Sequence, residues 1–457
     1  MKRRKLTFLL IHPEISRTRY NFVGVIENEC LELEYISALL KKEGHEVVLY
    51  DGQVETFGAM PAIQETEADV VYICGRARQE NFMLEYCQYA KECGAVTILG
   101  GLHAQLCYER MYRPYVDFIL TTFDIYRLLD IVNYVVYHKK EALAQMAGVC
   151  YQLEGTWHYQ AGEPFDIRRL PRPDRSYFDS FPHRYQYLEL GHAAWVRTAY
   201  GCPYRCSFCH RNRMNMGQLS SRDIDDVVDE IAQIKAENIY IADDDFLYDT
   251  DRLNRFVKEV RKRRIHKKYI CYGRADYIAR NPDMMKKLRD IGLYYVLVGL
   301  EAIEDCYLER YEKHSDIDDN IQSILTCNEL GIHIMGMFII DLGFRAKDFR
   351  ALYQWIVEHQ VRHVALSIFT PELCTPTYER YSDRMITDNP SHFDYLHLVA
   401  RPEHMSVRSF YFHYYILLIR LFLKAKREGV YDFIDYGDYI RSFVANMLHR
   451  KRRNDDE

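Results

Sequence analysis

Length, composition and charge first limit the class of protein. The chain has 457 residues, more than one hydrophobic core usually serves, so we expect two or three domains and a sizeable buried core. Hydrophobic residues make up 48% of the chain and charged residues 28%, values that exclude a disordered or collagen-like chain. A net charge of -6 and a pI near 6.3 provide no basic field for nucleic acid, so a nucleic-acid substrate is not expected.

Short basic runs lie near both ends of the chain, at residues 2–5 and 450–453. Such runs are usually solvated, and peripheral contact with a membrane or partner is the alternative. The apolar residues 6–11 are stopped by His12-Pro13-Glu14 and are too short for a signal or membrane-spanning helix, so a cytoplasmic protein is expected. Most of the 13 cysteines are scattered singly through apolar segments, as reduced buried thiols are.

Residues 1–138 alternate short apolar runs with amphipathic stretches. The apolar runs predict buried parallel strands at residues 6–11, 47–50, 70–74, 96–99 and 118–120. Helices are predicted between them, including one at 30–43 before Gly44 and one at 79–93 before Gly94, because Gly just past a helix is a common cap. Five strand-helix units predict a doubly wound, flavodoxin-like α/β domain.

This alternation breaks over residues 139–194, where we predict an interdomain linker. The linker contains a hairpin at Glu154-Gly155 and a Pro-rich segment at residues 170–174. The alternation then resumes, with helices such as 225–236 and 284–291 between strands predicted at 195–199, 239–242, 269–273, 294–299, 334–340 and 364–368. Six such units predict a partial TIM-like (β/α)6 barrel over residues 195–375, with its chemistry at the carboxyl ends of the strands.

The carboxy-terminal region, residues 376–457, is predicted to be helical. Its aromatic stretch, residues 410–415, leads into the apolar residues 416–423. That stretch is either a lid or lipid-contacting helix, or a helix that packs on the barrel, and packing on the barrel is the preferred interpretation.

Three cysteines, Cys202, Cys206 and Cys209, lie in the loop directly after the first predicted barrel strand. Thiolates are the standard ligands of iron-sulfur clusters, and since a cubane cluster usually takes four protein ligands, three leave one iron open. A structural zinc site with His210 as fourth ligand is the alternative. Structural zinc sites usually take their ligands from two separated pairs, which disfavours that alternative.

The segment Cys202-x-x-x-Cys206-x-Phe208-Cys209 resembles the signature of the radical S-adenosylmethionine (SAM) superfamily. The resemblance implies a 4Fe-4S cluster on the three cysteines and SAM bound to the open iron. It also implies an external electron donor such as flavodoxin or ferredoxin, and cleavage of SAM to methionine and a 5'-deoxyadenosyl radical that abstracts hydrogen. The cofactor then does the difficult chemistry and the protein positions it.

The same resemblance extends to about residue 345 and implies SAM contacts at the ends of the barrel strands, namely Phe208, Asp244, Arg274, Glu301 and Gly336. Asp244 suits the ribose hydroxyls or the methionine amine, and Arg274 suits a bidentate contact with the methionine carboxylate. Asp244, Arg274 and Glu301 each have a structural cap or ion pair as the alternative role. Near Gly336 the Gly-Leu-Pro turn that relatives often carry is missing.

A doubly wound domain joined by Pro171-Arg172-Pro173 to such a barrel resembles the cobalamin-binding class of radical SAM enzymes, which includes methylases and the oxidative cyclase of bacteriochlorophyll synthesis. The resemblance implies a corrin beyond the strand carboxyl ends, where glycines permit close approach, at His12, Pro13, Gly100, Gly101 and His103. The Asp-x-His-x-x-Gly segment that usually supplies a cobalt ligand is missing. A structural role for His103, and a domain kept only as a scaffold, stay open.

Together these resemblances imply a cobalamin-dependent radical SAM methylase, which acts on an unactivated carbon through a 5'-deoxyadenosyl radical and methylcobalamin. A radical SAM enzyme for cyclisation, carbon-carbon coupling or rearrangement is the first alternative, and a non-enzymatic metal-binding protein is the second. The 38 tyrosines allow a large apolar, lipid-like or natural-product substrate. No catalytic acid, base or radical quencher can be selected from spacing.

Overall fold

Two α/β sheets, one after the other along the chain, form the frame of the molecule. The computed structural model describes residues 4–16, 18, 26–55, 57–137, 146–430 and 432–433. The predicted fold class, a doubly wound domain followed by a partial barrel, is confirmed.

The amino-terminal sheet has the strand order β3-β1-β4-β5-β6-β7-β8. Its strands are β1 (Thr7–His12), β3 (Glu46–Asp51), β4 (Val70–Cys74), β5 (Val96–Gly100), β6 (Phe118–Leu120), β7 (Val149–Leu153) and β8 (Thr156–Gln160). The first five are parallel, and their order is that of a flavodoxin-like sheet. The strand β4 is buried along its whole length, as expected of a strand covered on both faces.

Helices alternate with these strands, at Leu31–Lys42, Ala59–Thr66, Glu80–Glu92, Gly101–Cys107 and Arg127–Tyr137. The two predicted glycine caps are present. Gly44 has φ +91° and Gly94 has φ +88°, a conformation that is strained for any residue with a Cβ.

The predicted linker belongs in part to the amino-terminal sheet. Its hairpin forms at Glu154-Gly155, but the strands β7 and β8 add antiparallel to β6. Val149 and Cys150 are completely buried there, so the first domain extends to Gln160. Beyond it come the helix Ser176–Ser180 and the strand β9 (Gln186–Tyr187), which pairs with β2 (Ile26–Glu27).

The second sheet is parallel and has the order β10-β13-β14-β15-β16-β17. Its strands are β10 (Ala193–Val196), β13 (Asn238–Ile241), β14 (Lys268–Arg274), β15 (Leu293–Glu301), β16 (His333–Ile340) and β17 (His363–Ile368). Seven helices connect these strands, namely Ile224–Gln233, Thr250–Lys262, Ala275–Arg280, Pro282–Asp290, Asp305–Arg310, Ile317–Leu330 and Ala346–Glu358. Side chains such as Ile239 and Val296 pack outward, whereas Tyr240 and Tyr295 pack inside.

The first barrel strand ends earlier than the apolar pattern predicts, at Val196 rather than at residue 199. Asp243 accepts hydrogen bonds from the backbone nitrogens of Thr198 (2.7 Å) and Ala199 (2.8 Å). Because these bonds take the place of sheet bonds, the chain leaves the barrel there. It enters β11 (Ala199–Tyr200), which pairs with β12 (Ser220–Ser221), and the cysteine loop lies between these two strands.

The carboxy-terminal region is helical only in part. A short helix at Pro376–Arg380 is followed by turns and extended chain up to the long helix Val407–Arg427. One face of the long helix packs on the barrel, with Phe410 against Phe349, as the preferred interpretation predicts. Residues 434–457 of the predicted helical region lie outside the described residues, and no described helix has the length and apolar character needed to cross a bilayer.

Candidate active site

The three cysteines lie in the loop beyond β11. Cys206 is buried, Cys202 and Cys209 are partly exposed, and all three thiols are free. Burial raises the pKa of Cys202 to about 11 and that of Cys209 to about 12. Because thiolates, not thiols, are metal ligands, binding of iron would displace these protons.

Cationic side chains lie near two of these thiols, whereas the third, Cys202, has the carboxylates Asp244 and Asp245 as electrostatic neighbours. Lys313 and Arg274 are electrostatic neighbours of Cys206, and Arg211 is a neighbour of Cys209. Positive charge beside two of the three thiols suits an anionic iron-sulfur centre.

The zinc alternative names His210 as the fourth ligand. Among the described residues no group of three or more His, Cys, Asp or Glu side chains is arranged to hold a metal ion, and this applies equally to zinc and to an iron-sulfur cluster. The ring of His210, the fourth ligand in that alternative, instead lies 3.7 Å from the Glu372 carboxylate.

Arg274 supports the cysteine loop. Its guanidinium donates to Asp276 at 3.0 Å and to the carbonyl of Lys313 at 2.6 Å, and it lies 4.0 Å from the centre of the Tyr204 ring. Tyr204 belongs to the cysteine loop. The sequence assigned the Arg274 guanidinium to the methionine carboxylate of SAM. Several of its N–H donors are instead occupied by hydrogen bonds inside the protein.

Two carboxylates after β13 have buried oxygen atoms for which the described residues provide no hydrogen-bond partner. Asp244 Oδ1 pairs with Arg211 at 2.9 Å, whereas Asp244 Oδ2 and Asp245 Oδ2 have no hydrogen-bond partner among the described residues. Burial raises the pKa of Asp245 to about 6. An unsatisfied buried oxygen is costly, so these atoms suit hydroxyl or ammonium groups of a ligand such as SAM.

Glu301 and Phe208, both predicted SAM contacts, meet at Lys313. The Lys313 ammonium lies 2.8 Å from Glu301 Oε1 and 5.8 Å from the centre of the Phe208 ring. Glu301 has φ +59°, beside an irregularity in the pairing of β15 with β16. A left-handed backbone at a residue other than glycine is strained, and such strain concentrates at functional sites.

Two cations of this site were missed by sequence reasoning. Arg211 lies two residues beyond Cys209, so its closeness to the motif is a signal that could have found it. Lys313 follows the helix Asp305–Arg310, and no sequence pattern marks it.

Gly336 lies inside β16, and its SAM contact stays a prediction. In β16 a side chain at this position would point in the same direction as those of Ile334 and Phe338, which belong to the outer core. A Cβ at Gly336 would come within 2.8 Å of Leu300 and 2.9 Å of Val361. Glycine is needed there because the strand packs tightly outward, so a SAM contact of Gly336 is limited to its main chain.

His12 ends β1 at the carboxyl edge of the amino-terminal sheet. Its Nδ1 lies 3.0 Å from Asp51 Oδ1. Burial by itself would lower the pKa of His12, but Cys30 and Asp51 outweigh it and raise that pKa to about 9. Cys30 Sγ in turn lies 3.6 Å from Cys74 Sγ, so this edge holds a pair of thiols that the sequence did not single out.

His103, by contrast, is buried in a polar network. Its Nε2 lies 2.5 Å from Glu80 Oε2, and Arg110 binds the same carboxylate. The structure therefore shows the hydrogen-bonding role that the sequence left open for His103, and its corrin contact stays a prediction.

The predicted glycines at the same edge also serve internal packing. A Cβ at Gly100 would lie 1.8 Å from the Tyr72 hydroxyl, and one at Gly101 would lie 2.8 Å from the nitrogen of Gly75. The carbonyl of Pro13 accepts a hydrogen bond of 2.5 Å from a neighbouring glutamine side chain. The atoms that approach these glycines closely are therefore those of Tyr72 and Gly75.

The cysteine loop and this sheet edge lie at a shared interface between the two domains. Tyr200, just before the loop, donates to Gln105 of the first domain at 2.8 Å and stacks on Phe123 at 4.2 Å. Arg76, after β4, is an electrostatic neighbour of Arg211. The Arg76 side chain is accessible to solvent, yet the protein around it lowers its pKa by desolvation. Both properties fit a side chain that lines a recess. The two predicted binding regions therefore face each other.

Comparison with known families agrees with this two-part architecture. Residues 196–356 match the radical SAM superfamily, and residues 27–124 match the B12 binding domain. Both resemblances predicted from the sequence are confirmed.

Among individual relatives, the chain is similar to the hopanoid C-3 methylase of Methylococcus capsulatus, at 25% identity over 51% of this chain and 45% of that protein. It is also similar to the anaerobic magnesium-protoporphyrin IX monomethyl ester cyclase of Cereibacter sphaeroides, at 24% identity over 68% and 52%. The chain thus spans about half the length of these curated relatives.

A solved structure of similar fold is the radical SAM methyltransferase TsrM of Kitasatospora setae, with cobalamin and a 4Fe-4S cluster bound. The TM-score is 0.67 at 16% identity, over 88% of this chain and 84% of that one.

Proposed function

Because this chain belongs to the class that joins a B12-binding domain to a radical SAM domain, we propose that it is a cobalamin-dependent radical SAM methylase. The observation that carries the proposal is the interface at which the cysteine loop faces the carboxyl edge of the first sheet, through the Tyr200–Gln105 hydrogen bond. Transfer of a group between two cofactors requires that they be held close together. An interface with the two candidate cofactor regions on its two sides supports such a transfer.

When bound, a 4Fe-4S cluster would cleave SAM reductively and cobalamin would carry the methyl group. The chain's own residues would bind and orient. Asp244 and Asp245 would accept hydrogen bonds from the ribose hydroxyls or amine of SAM, because each has a buried oxygen without a described partner. Lys313 and Arg211 would offset the negative charge of the thiolates.

We propose a large apolar or aromatic small molecule as substrate. The interior of the barrel is lined with aromatic rings and thioethers, namely Tyr187, Trp195, Tyr240, Tyr272, Tyr295, Met335 and Met337. Such a lining offers stacking surface and few fixed charges. The methyl group would be transferred to an unactivated carbon, with electrons from an external donor such as flavodoxin or ferredoxin.

A second candidate is oxidative cyclisation without methyl transfer. It is favoured by the similarity to the Cereibacter cyclase, which covers 68% of this chain. The two candidates differ in their products, since methyl transfer leaves S-adenosylhomocysteine and cyclisation does not.

The experiment is anaerobic reconstitution with iron and sulfide, followed by hydroxocobalamin, SAM and a strong reductant. Mass spectrometry then quantifies the products from SAM. We expect 5'-deoxyadenosine and S-adenosylhomocysteine, the latter only with cobalamin. Cys206→Ser should lose both products, and Cys306→Ser, an exposed cysteine of the barrel domain, is the matched control.

Each other outcome has a definite meaning. Release of 5'-deoxyadenosine alone, in the presence of candidate substrates, would favour the cyclase. Identical product release by Cys206→Ser and wild type would contradict the radical SAM chemistry itself.

A further inference from the structure

The long carboxy-terminal helix, Val407–Arg427, carries a second apolar face that the barrel does not cover. Phe412 is 62% exposed, Ile416 39%, Ile419 59% and Leu423 51%. Their spacings of four, three and four place them in one line along a helix. We call these four residues the outer stripe. It lies opposite the buried residues of the same helix, such as Tyr414 and Leu421.

Basic residues border the outer stripe. At 100° per residue, Arg408 and Lys426 fall on one side of it, and Arg420 and Arg427 on the other. All four are exposed. The sequence between Val407 and Arg427 contains no Asp or Glu, so the exposed face of this helix combines apolar and cationic groups.

Among the described residues, the acid directly after the helix is bound on the inner side of the helix. Glu428, the residue directly after the helix, binds the buried Lys424 at 2.7 Å. Lys424 also donates to the carbonyl of Val361, which lies just beyond the end of the neighbouring helix Ala346–Glu358. This ion pair belongs to the inner side of the helix, opposite the outer stripe.

From this arrangement we infer that the outer stripe binds the surface of an anionic lipid bilayer. The cations attract anionic headgroups, and the line of Phe, Ile and Leu side chains enters the boundary between headgroups and acyl chains. A second copy of the chain suits the stripe less well, because a two-fold contact would bring two basic borders together. The helix lies on the membrane and does not cross it.

The packing of the helix fixes how the barrel would lie. Phe410 packs on Phe349 near the start of the helix Ala346–Glu358, and Lys424 reaches Val361 beyond its end. The two helices therefore run side by side in the same direction. Since Ala346–Glu358 leads from the carboxyl end of β16 to the start of β17, the barrel would rest on its side, with Phe412 towards its active-site end.

The test is co-sedimentation of the full chain, reconstituted with its cofactors, with sucrose-loaded vesicles. One set contains phosphatidylglycerol and phosphatidylcholine in equal parts, and the other contains phosphatidylcholine alone. We expect sedimentation with the anionic vesicles that weakens as salt is raised, and weaker binding to the neutral ones.

Two matched double variants test the apolar contact. Ile416→Ser with Ile419→Ser should weaken binding about tenfold or more, because two apolar side chains no longer enter the bilayer. Leu325→Ser with Ile386→Ser changes two apolar side chains of similar exposure, 47% and 40%, outside the stripe and should bind like wild type. Since all four positions are exposed, circular dichroism should show unchanged folding.

A charge variant tests the basic border. Arg408→Gln with Arg427→Gln should weaken binding to anionic vesicles and leave binding to neutral vesicles unchanged. The inference is overturned if wild type does not sediment with anionic vesicles, or if the stripe variant binds as well as wild type. It is also overturned if light scattering shows a dimer that the stripe variant converts to monomer, because a second copy then covers the stripe.

Discussion

Replacement of Arg175 by Met would break a buried ion network that joins the two domains. The Arg175 guanidinium lies 2.7 Å from Glu29, 3.7 Å from Glu34 and 2.9 Å from Glu230. It also donates to the carbonyl of Trp195 at 2.6 Å. Glu29 and Glu34 belong to the first domain and the other two partners to the barrel, so one side chain connects both cores.

The substitution would destabilise the fold mainly because Glu29 and Glu34 lose their cation. Glu230 keeps a second cation, Arg222, at 2.7 Å, whereas the described residues place no other cation within ion-pair distance of the first two acids. Burial raises the pKa of Glu29, and burial together with the Glu29 charge raises that of Glu34. Removing one partner of a buried ion pair typically costs about 3–5 kcal/mol, and we expect Arg175→Met to lower the free energy of unfolding by that amount.

The loss in the free energy of unfolding caused by Arg175→Met should depend on pH. Because the pKa values of Glu29 and Glu34 are higher in the folded protein than in the unfolded chain, these acids favour folding most at low pH, and this contribution falls as the pH rises. Without Arg175 the charged forms become less favourable still. The deficit of Arg175→Met should therefore be larger at about pH 8 than at about pH 5.

Urea unfolding at the two pH values measures the deficit. Arg172→Met, three residues earlier in the chain, is the matched control, since Arg172 pairs with Asp226 at 3.2 Å while both side chains are largely exposed, at 40% and 48%. It should cost less than about 1 kcal/mol. Equal losses for the two variants, or a deficit of Arg175→Met that grows at acid pH, would refute the reasoning.

Three further outcomes are expected. SAM should bind more tightly to the reconstituted protein as the pH rises through about 6, because Asp245 then ionises. Asp245→Asn should flatten that profile in equilibrium binding. Lys313→Met should cost about 3–5 kcal/mol in urea unfolding because Glu301 stays buried without its cation, and adding Glu301→Gln should restore most of the loss. Gly100→Ala should lower the melting temperature of the protein without cobalamin, because its Cβ would lie 1.8 Å from the Tyr72 hydroxyl; an effect only on cobalamin binding would contradict the packing role.

Local patterns predicted much of the fold. The strands Val70–Cys74 and Phe118–Leu120 have the predicted bounds, because runs of apolar residues fit a strand buried on both faces. The hairpin at Glu154-Gly155 was also predicted, but its addition to the first sheet was not. Which sheet an edge hairpin joins depends on contacts distant in sequence, here those of Val149 and Cys150 with β6.

The candidate site divides in the same way. Motif spacing by itself predicted the three cysteines as cluster ligands, and the alternation of strands predicted that their loop lies at the carboxyl end of a barrel. Tertiary structure alone decided that Lys313 meets Glu301 and that Gly336 packs outward. The physical reason is that spacing records neighbours along the chain, whereas a buried charge or a tightly packed glycine is explained by partners that only folding brings into contact.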